Sequence, residues 1–589
     1  LFRDIAVAIS VSVLLSLLVA VTLIPALSNG LLGGVKPDGE RYRIPIIDRF
    51  SARFTNFWSG YARFVVKQKM FALGIVSAMV AMAGLIAVLI LPKMDYLPKG
   101  NRNLVFGIVM PPAGYNLDTN EGIAQNVSDS TKKHWSRGSY GKINSKEEQK
   151  IDRFFYVARL GRMFMAATHV DPQRAGELEL LIEGPARAEP GVFAFMFQPS
   201  LFGRSIGSGR AIDIEISGPN LETIYAVGRQ VFFATRAVLP PKKGNRVRPR
   251  PSLTLSEPEV RVIPDRVSLA DNGLTAQNLG ESIDAFNDGI RVSEVTVNGK
   301  RIDLTLRGPK FEQESTQLIR SLPVVTSSGE IVPVINLANV IETTGPTEIR
   351  RIDRVRTMTI SVSPRDGLPI EAATELINQK ILSPLREAGL PDGVRFKLSG
   401  SADKLEVTWR HMQLDLLLAL IIVFLVMAVL FESFFYPFVV MLTVPVAAAG
   451  GLAGLALLNT YVAQSLDMLT MLGFVILIGI VVNNAILLVH QTLFHIRKDG
   501  MEVNSAIENA TRNRIRPIFM STLTSIVGML PLVLFPGAGS ELYRGLGSVV
   551  LGGLALSALL TMAIVPPMMS VTVGLLERRK LSSEPNPKG

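Results

Sequence analysis

Seven stretches of this chain run for roughly 20 residues or more with almost no charge, and this limits the fold more than any other feature. A bilayer's hydrocarbon core is about 30 Å thick and a helix rises about 1.5 Å per residue, so each stretch matches one membrane-spanning helix. They are Ile5 to Val35, Met70 to Pro92, Met412 to Phe431 (with one charge, Asp415, near its start), Tyr436 to Leu458, Met468 to Val489, Pro517 to Ser540 and Gly545 to Leu576. The first and last exceed one span, so their helices occupy only part of each run. A length of 589 residues would otherwise suggest about four soluble domains, but 48% of the residues are apolar and fall in these blocks. With only 19% charged residues, disorder, low complexity and collagen are excluded. The chain has no cysteine, which removes disulfides, cysteine-ligated zinc, iron–sulfur clusters and thiol catalysis.

The net charge of +11 sits largely in short loops, which favours membrane anchoring over nucleic-acid binding. The connection from Lys36 to Lys69 holds Lys36, Arg41, Arg43, Arg49, Arg53, Arg63, Lys67 and Lys69 against Asp38, Glu40 and Asp48. This basic, aromatic-rich segment predicts a cytoplasmic linker with a helix on the membrane surface. Alternation then puts Lys93 to His411 outside, and the Glu432 turn, His490 to Arg516 and the Arg578-Arg579-Lys580 tail inside. Leu1 to Asp4 leads directly into a span with no signal-peptide character, so the chain reads as beginning within a longer protein.

Between Met94 and Arg410, short β-rich runs alternate with helical periodicity and Pro/Gly punctuation. Strands are expected at Leu104 to Met110, Phe154 to Val157, Gly191 to Phe197, Ala211 to Ile216, Glu259 to Ile263, Ile302 to Leu306, Thr357 to Val362 and Val394 to Leu398. Helices are expected at Leu221 to Val238, Thr275 to Phe286 and Ile370 to Ala388, which together suggest βαβ-type sandwich units. The polar segment Ser130 to Lys150, with Gly138, Ser139 and Gly141, reads as a surface loop.

Several motifs occur in a specific order. They are Met110-Pro-Pro-Ala-Gly114, Val260-Arg-Val-Ile-Pro-Asp-Arg266, Ser328-Gly-Glu-Ile-Val-Pro333, Leu430-Phe-Glu-Ser-Phe-Phe-Tyr-Pro437, Gly479-Ile-Val-Val-Asn-Asn-Ala-Ile-Leu-Leu-Val489, Arg514-Ile-Arg-Pro-Ile-Phe-Met-Ser-Thr-Leu523 and Gly537-Ala-Gly-Ser540. Across nearly the whole chain this order resembles the carboxy-terminal half of a resistance–nodulation–division (RND) efflux permease of the hydrophobe/amphiphile type. The resemblance implies a polytopic α-helical membrane protein, with seven spans here corresponding to the sixth to twelfth of twelve. It also implies a large α+β periplasmic domain of βαβ porter subdomains plus a docking subdomain. The implied boundaries are span 1–35, cytoplasmic linker 36–69, span 70–92, first porter subdomain 97–209, second porter subdomain 210–266 with 356–402, docking subdomain 267–355, five-helix bundle 412–576 and cytoplasmic tail 577–589. Family members are homotrimers of the bacterial inner membrane, in contact with membrane lipids. They pass amphiphiles to a periplasmic adaptor and an outer-membrane channel, by proton antiport and without a cofactor. The amino-terminal half that carries their proton-binding acids is missing from this chain.

Proton coupling needs a sheltered titratable group, and such a group in lipid stands out. The seven runs hold no Asp, Glu, Lys or Arg at bilayer depth; Asp415, Glu432, Asp467, Arg514 and Arg516 lie at or near run ends. The resemblance carries a relay role onto Asn483, Asn484, Arg514 and Ser521. Asn483 stands where familiar multidrug members have a lysine, and an amide accepts or donates hydrogen bonds without compensating a carboxylate's charge. Asn483 and Asn484 are equally readable as interhelical hydrogen-bonding residues, and Arg514 and Arg516 as cytoplasmic anchors. Ser521 lies two helical turns beyond Arg514 and can face the same neighbour. His490 is read as a solvated helix-end residue.

An amphiphile needs adaptable apolar surface. Phe155, Val157, Met163, Phe164 and Met165 are the expected substrate-binding residues, with Leu160, Phe195, Met196 and Phe197 nearby in sequence and plain core packing as the competing reading. Thioethers also select Cu(I), but Met110, Met163, Met165 and Met196 lack a diagnostic spacing for the heavy-metal branch, and no metal is assigned. A heavy-metal-type RND exporter and a non-transporting scaffold that docks an adaptor are the two alternatives. No GxxxxGK[ST] pattern occurs, so bound ATP is not the expected energy source.

Overall fold

The computed structural model describes residues 2–32, 45–97, 100, 102–112, 115–136, 149–159, 162–199, 210–251, 253, 257–308, 316–346, 348–365, 367–535, 537 and 540–583. Lys36, Arg41 and Arg43 of the basic linker, the Gly138–Gly141 loop, Leu160, and parts of the 110–114 and 537–540 motifs lie outside them. Among the described residues, seven helices are long and apolar enough to cross a membrane: Ala6–Ser28, Lys69–Ile90, Ser401–Phe431, Phe435–Asn459, Met468–Arg497, Val503–Leu534 and Ser540–Val573, numbered here as spans one to seven.

Several spans outrun the apolar stretches that mark them. The sixth begins at Val503 rather than Pro517 and the fifth ends at Arg497 rather than Val489, so His490 is mid-helix and exposed, not terminal. At about 1.5 Å per residue, the 32-residue sixth helix is about 48 Å long, well beyond a hydrocarbon core of about 30 Å. Its polar first half is held by packing: Ala506, Ile507, Ala510 and Thr511 recur at helical spacing and are buried. A helix at Pro45–Lys67 lies against it, with Arg63 paired to Glu508, Ser59 Oγ 3.4 Å from Glu508, and Phe54 edge-on to Phe519 at 4.8 Å.

The fourth and seventh spans touch backbone to backbone. A Cβ on Gly454 would lie 2.7 Å from the Ser548 carbonyl, and one on Gly552 would lie 2.5 Å from the Gly450 carbonyl. Close approach of this kind relies on small residues, since lipid supplies no hydrophobic drive between helices. Within the fourth span the helix breaks at Leu442; Pro445 has no N–H for the Met441 carbonyl.

After the helices α1 (Phe2–Leu32), α2 (Pro45–Lys67) and α3 (Lys69–Ile90), the soluble region is built from two units of one topology. In the first, β1 (Val105–Met110), α4 (Leu117–Thr131), β2 (Ile151–Arg159), β3 (Arg162–His169), α5 (Glu177–Ala186) and β4 (Phe193–Phe197) form an antiparallel sheet of order β2-β3-β1-β4. Both helices cover one face. In the second, β5 (Ile212–Ser217), α6 (Leu221–Val238) and β6 (Arg246–Arg250) are followed by strands Val355–Ser363 and Arg395–Gly400, in the equivalent spatial order. Each is a βαββαβ unit. The second is interrupted after β6 by an insertion with its own core around Leu269, Leu279, Val324, Val334 and Leu337. Glu257–Pro264 pairs with Ala338–Gly345, so that strand belongs with the insertion and not with the 210–266 segment expected from the sequence. The β3 strand lies outside the strands expected from the sequence; with Met163, Met165, Ala166 and Ala167 all apolar, it lacks the apolar–polar alternation that marks a half-buried strand.

The bundle and the soluble region meet at residues 94–96. Met94 bridges Leu466, the Asp95 N–H donates to the Leu466 carbonyl at 3.0 Å, and Arg210, at the entry to β5, pairs with Asp95 at 2.5 Å and donates to the Leu368 carbonyl at 2.8 Å.

Candidate functional site

The positions expected to couple transport to protons lie on the fifth and sixth spans, and helical phase separates them. Asn484 is buried and donates to Thr522 Oγ1 at 3.3 Å, while Thr522 donates to the Ile518 carbonyl. Asn483, one residue earlier, is exposed, and so is Ser521, whose hydroxyl donates to its own helix at Ile518. The interhelical partner is thus Thr522 and not Ser521, because a step of one residue turns a side chain about 100° around a helix. Arg514 is half-buried and donates through Nε and Nη2 to Gln491 Oε1 at 3.1 and 2.6 Å. Gln491 also meets His495 Nε2 at 3.1 Å, and His495 Nδ1 lies 2.7 Å from Asp499. The four expected residues therefore form no single cluster. Asn484–Thr522 and Arg514–Gln491 are two contacts about 10 Å apart along the fifth span, seven residues at about 1.5 Å each. Gln491 was missed because a glutamine beside an apolar run carries no signal until its helix neighbour is known.

The buried acids among the described residues are Asp95, Glu183 and Asp467, and all lie outside the spans. Asp467 caps the fifth span: its Oδ1 accepts from the Thr470 N–H at 2.8 Å and its Oδ2 from Gln464 Nε2 at 2.9 Å. Burial raises its carboxyl from the ordinary 3.8 to about 6; the Thr470 N–H opposes this shift and the nearby Asp95 adds to it.

Strand alternation in the first βαββαβ unit divides the five expected substrate residues. Met163 and Met165 point to the helix-covered face and are fully buried with Val105, Val109, Ala194 and Met196. They are core residues, and the single contact patch expected from the sequence is two opposite faces of a sheet. Phe155, Val157 and Phe164 point the other way. Val157 pairs with Phe164, Phe164 with Ile108, Ile108 with Phe195, and Phe106 with Phe197, so an apolar row crosses the sheet. Phe106 lies 5.9 Å from both Phe164 and Phe197, and Phe195 stacks on Phe197 at 5.9 Å. Phe155 is 53% exposed and Val157 45%. This half-exposed aromatic row is a contiguous apolar surface on a unit outside the spans. Among the described residues no three His, Asp or Glu side chains group as metal ligands.

Residues 1–572 match the model of the AcrB/AcrD/AcrF family. The chain is 33% identical over 248 residues to the multidrug resistance protein MdtC of Erwinia amylovora, covering 42% of this chain and 23% of that protein. It is 26% identical over 320 residues to an uncharacterized transporter of Haemophilus influenzae, covering 54% of this chain and 30% of that one. The matches thus span about a quarter to a third of these relatives' length. In fold, the chain resembles a crystal structure of a heavy metal efflux pump with a TM-score of 0.71 at 20% identity, over 89% of this chain and 52% of the other. A family match over nearly the whole chain, seven spans and the paired βαββαβ units agree: the chain belongs to the AcrB/AcrD/AcrF family of RND transporters.

Proposed function

We propose that the chain is the substrate-handling and helix-coupling part of a proton-driven exporter of hydrophobic and amphiphilic compounds. In this reading it sits in a bacterial inner membrane as a homotrimer, with its soluble region in the periplasm against an adaptor protein and an outer-membrane channel. The observation that carries the proposal is the open aromatic face of Phe106, Phe155, Phe164 and Phe197, apolar surface held on a rigid sheet outside lipid. The two βαββαβ units are the porter subdomains and the insertion is the docking subdomain. Asn484–Thr522 and Arg514–Gln491 link the fifth and sixth spans, and proton-binding acids come from helices beyond this chain. Kinship with multidrug resistance proteins supports the same reading.

The heavy-metal alternative is weaker, because the thioethers of Met163, Met165 and Met196 are sealed in the core, away from any open face. The test is export of an amphiphilic dye by the product of the complete reading frame in a bacterial strain stripped of its own exporters. Phe164→Ala should reduce export at unchanged abundance and Asn484→Ala should slow it. Copper tolerance with no effect on dye would favour the metal reading, and no export of either would favour a scaffold.

A further inference from the structure

The aromatic face does not look onto open solvent alone; the second βαββαβ unit stands across from it and presents arginines. Val247 of β6 is buried in its own unit's core, so Arg246, Arg248 and Arg250 share the opposite side of that strand, beside Ser363, Ser361 and Thr359. Arg248 lies over the Phe195 ring with its guanidinium carbon 4.8 Å from the centroid. Arg246 pairs with Glu179 of α5, which ties the two units together. On the aromatic sheet itself, Arg159 and Arg162 are directly paired neighbours at the β2–β3 end, on the same side as Val157 and Phe164.

The acids nearby are already engaged. Asp213 accepts from Ser361 at 2.5 Å, Glu215 from Ser399 at 2.5 Å, and Glu348 lies 3.7 Å from Arg350. Burial lowers the Arg250 guanidinium from its ordinary value; Asp213 opposes this, and Arg350 and Arg162 deepen it. Among the described residues, Arg159, Arg162 and Arg248 make no ion pair with a carboxylate. Two arginines placed directly opposite on adjacent strands repel, an arrangement that works against stability unless an anion comes between or beside them. A guanidinium laid on an aromatic ring still presents its N–H edge to an oxyanion.

We propose that this cleft selects amphiphiles with a negatively charged headgroup, the apolar body lying on Phe106, Phe155, Phe164 and Phe197 and the anion held by Arg162 and Arg248. The proposal rests on the amphiphile reading above and narrows it to sulfonates, sulfates and carboxylates on a flat apolar frame.

The test uses the 589-residue chain in nanodiscs of zwitterionic lipid, with empty discs subtracted. The probes are the matched pair 8-anilinonaphthalene-1-sulfonate and neutral N-phenyl-1-naphthylamine, which share one ring frame. The sulfonate should bind about tenfold more tightly or better. Arg162→Gln with Arg248→Gln should abolish that advantage and leave the neutral probe's affinity as it was, whereas Arg162→Lys with Arg248→Lys should keep most of it. Phe164→Ala should weaken both probes. On the unaltered chain, raising salt from about 50 to about 500 mM should narrow the gap. Equal affinity for the two probes, a gap that salt leaves untouched, or a preference that survives the double glutamine change would overturn charge selection while leaving the apolar face as an amphiphile site. If neither probe binds above empty discs, or Phe164→Ala changes nothing, the amphiphile reading itself fails and this proposal with it.

Discussion

Replacing Asp467 with asparagine should stabilise this protein at neutral pH, although it removes a charged helix cap. Asparagine caps as well as aspartate, and its Oδ1 can keep the Thr470 N–H that Asp467 holds at 2.8 Å. What the change removes is a carboxylate that is 1% exposed and has Asp95 as a neighbour. Its carboxyl is raised from 3.8 to about 6, so between those values the folded protein binds a proton that the unfolded chain releases. Stability from this group is therefore greatest below about pH 4, falls as pH rises through the window, and is fully lost above about 6. At about 1.36 kcal/mol per pH unit, the loss is about 3 kcal/mol. The assay is the apparent melting temperature in nanodiscs by intrinsic fluorescence from pH 4 to pH 7.5. Trp409 packs near Met94 and Leu466 and reports on this junction. The unaltered chain and Asp467→Asn should melt together near pH 4 and diverge by a few degrees, variant higher, by pH 7.5. A variant that melts lower at pH 7.5 would mean that ionised Asp467 is net favourable there, and the assignment of burial as the dominant influence would be wrong.

Further outcomes test the other contacts. Met163→Ala should cost about 2–5 kcal/mol by opening the helix-backed core, whereas Phe155→Ala, at a half-exposed site, should change stability by no more than about 0.5 kcal/mol while weakening amphiphile binding; thermal melts beside dye titration separate the two. Gly454→Ala drives a methyl toward the Ser548 carbonyl and should cost about 1–3 kcal/mol, read as a lower melting temperature. A double-mutant cycle of Asn484→Ala and Thr522→Val should return a coupling of about 0.6 kcal/mol, and zero coupling would dissolve the contact. Gln491→Leu strips Arg514 of both hydrogen bonds and should slow proton-coupled export by the complete protein at equal abundance, while Arg516→Gln should not.

Much of the architecture was legible because lipid imposes a one-dimensional rule. Hydropathy located the seven spans seen among the described residues, and helical periodicity gave Leu221–Val238 residue for residue. Helix ends were less legible. Hydropathy measures depth in hydrocarbon, and the polar Val503–Arg516 segment is helical with its buried face packed on Pro45–Lys67 and on the fifth and seventh spans. The candidate sites were half legible. Phe155, Val157 and Phe164 share one face of the sheet, but the adjacent Met163 and Met165 fall on the opposite face because side chains alternate between faces along a strand. Asn484 meets Thr522 and not Ser521, a partner that no spacing in the sequence indicates.

By itself, then, the sequence determined where the chain meets lipid, which family its motifs belong to, and that its apolar runs hold no buried acid. Each follows from local composition and order. Only the tertiary structure decided that Asn484 meets Thr522, that Arg514 is held by Gln491, and that arginines of one βαββαβ unit stand over the aromatic row of another. Those contacts join residues from 23 to 53 positions apart, and no local pattern encodes the rotation of one helix, or the face of one sheet, relative to its neighbour.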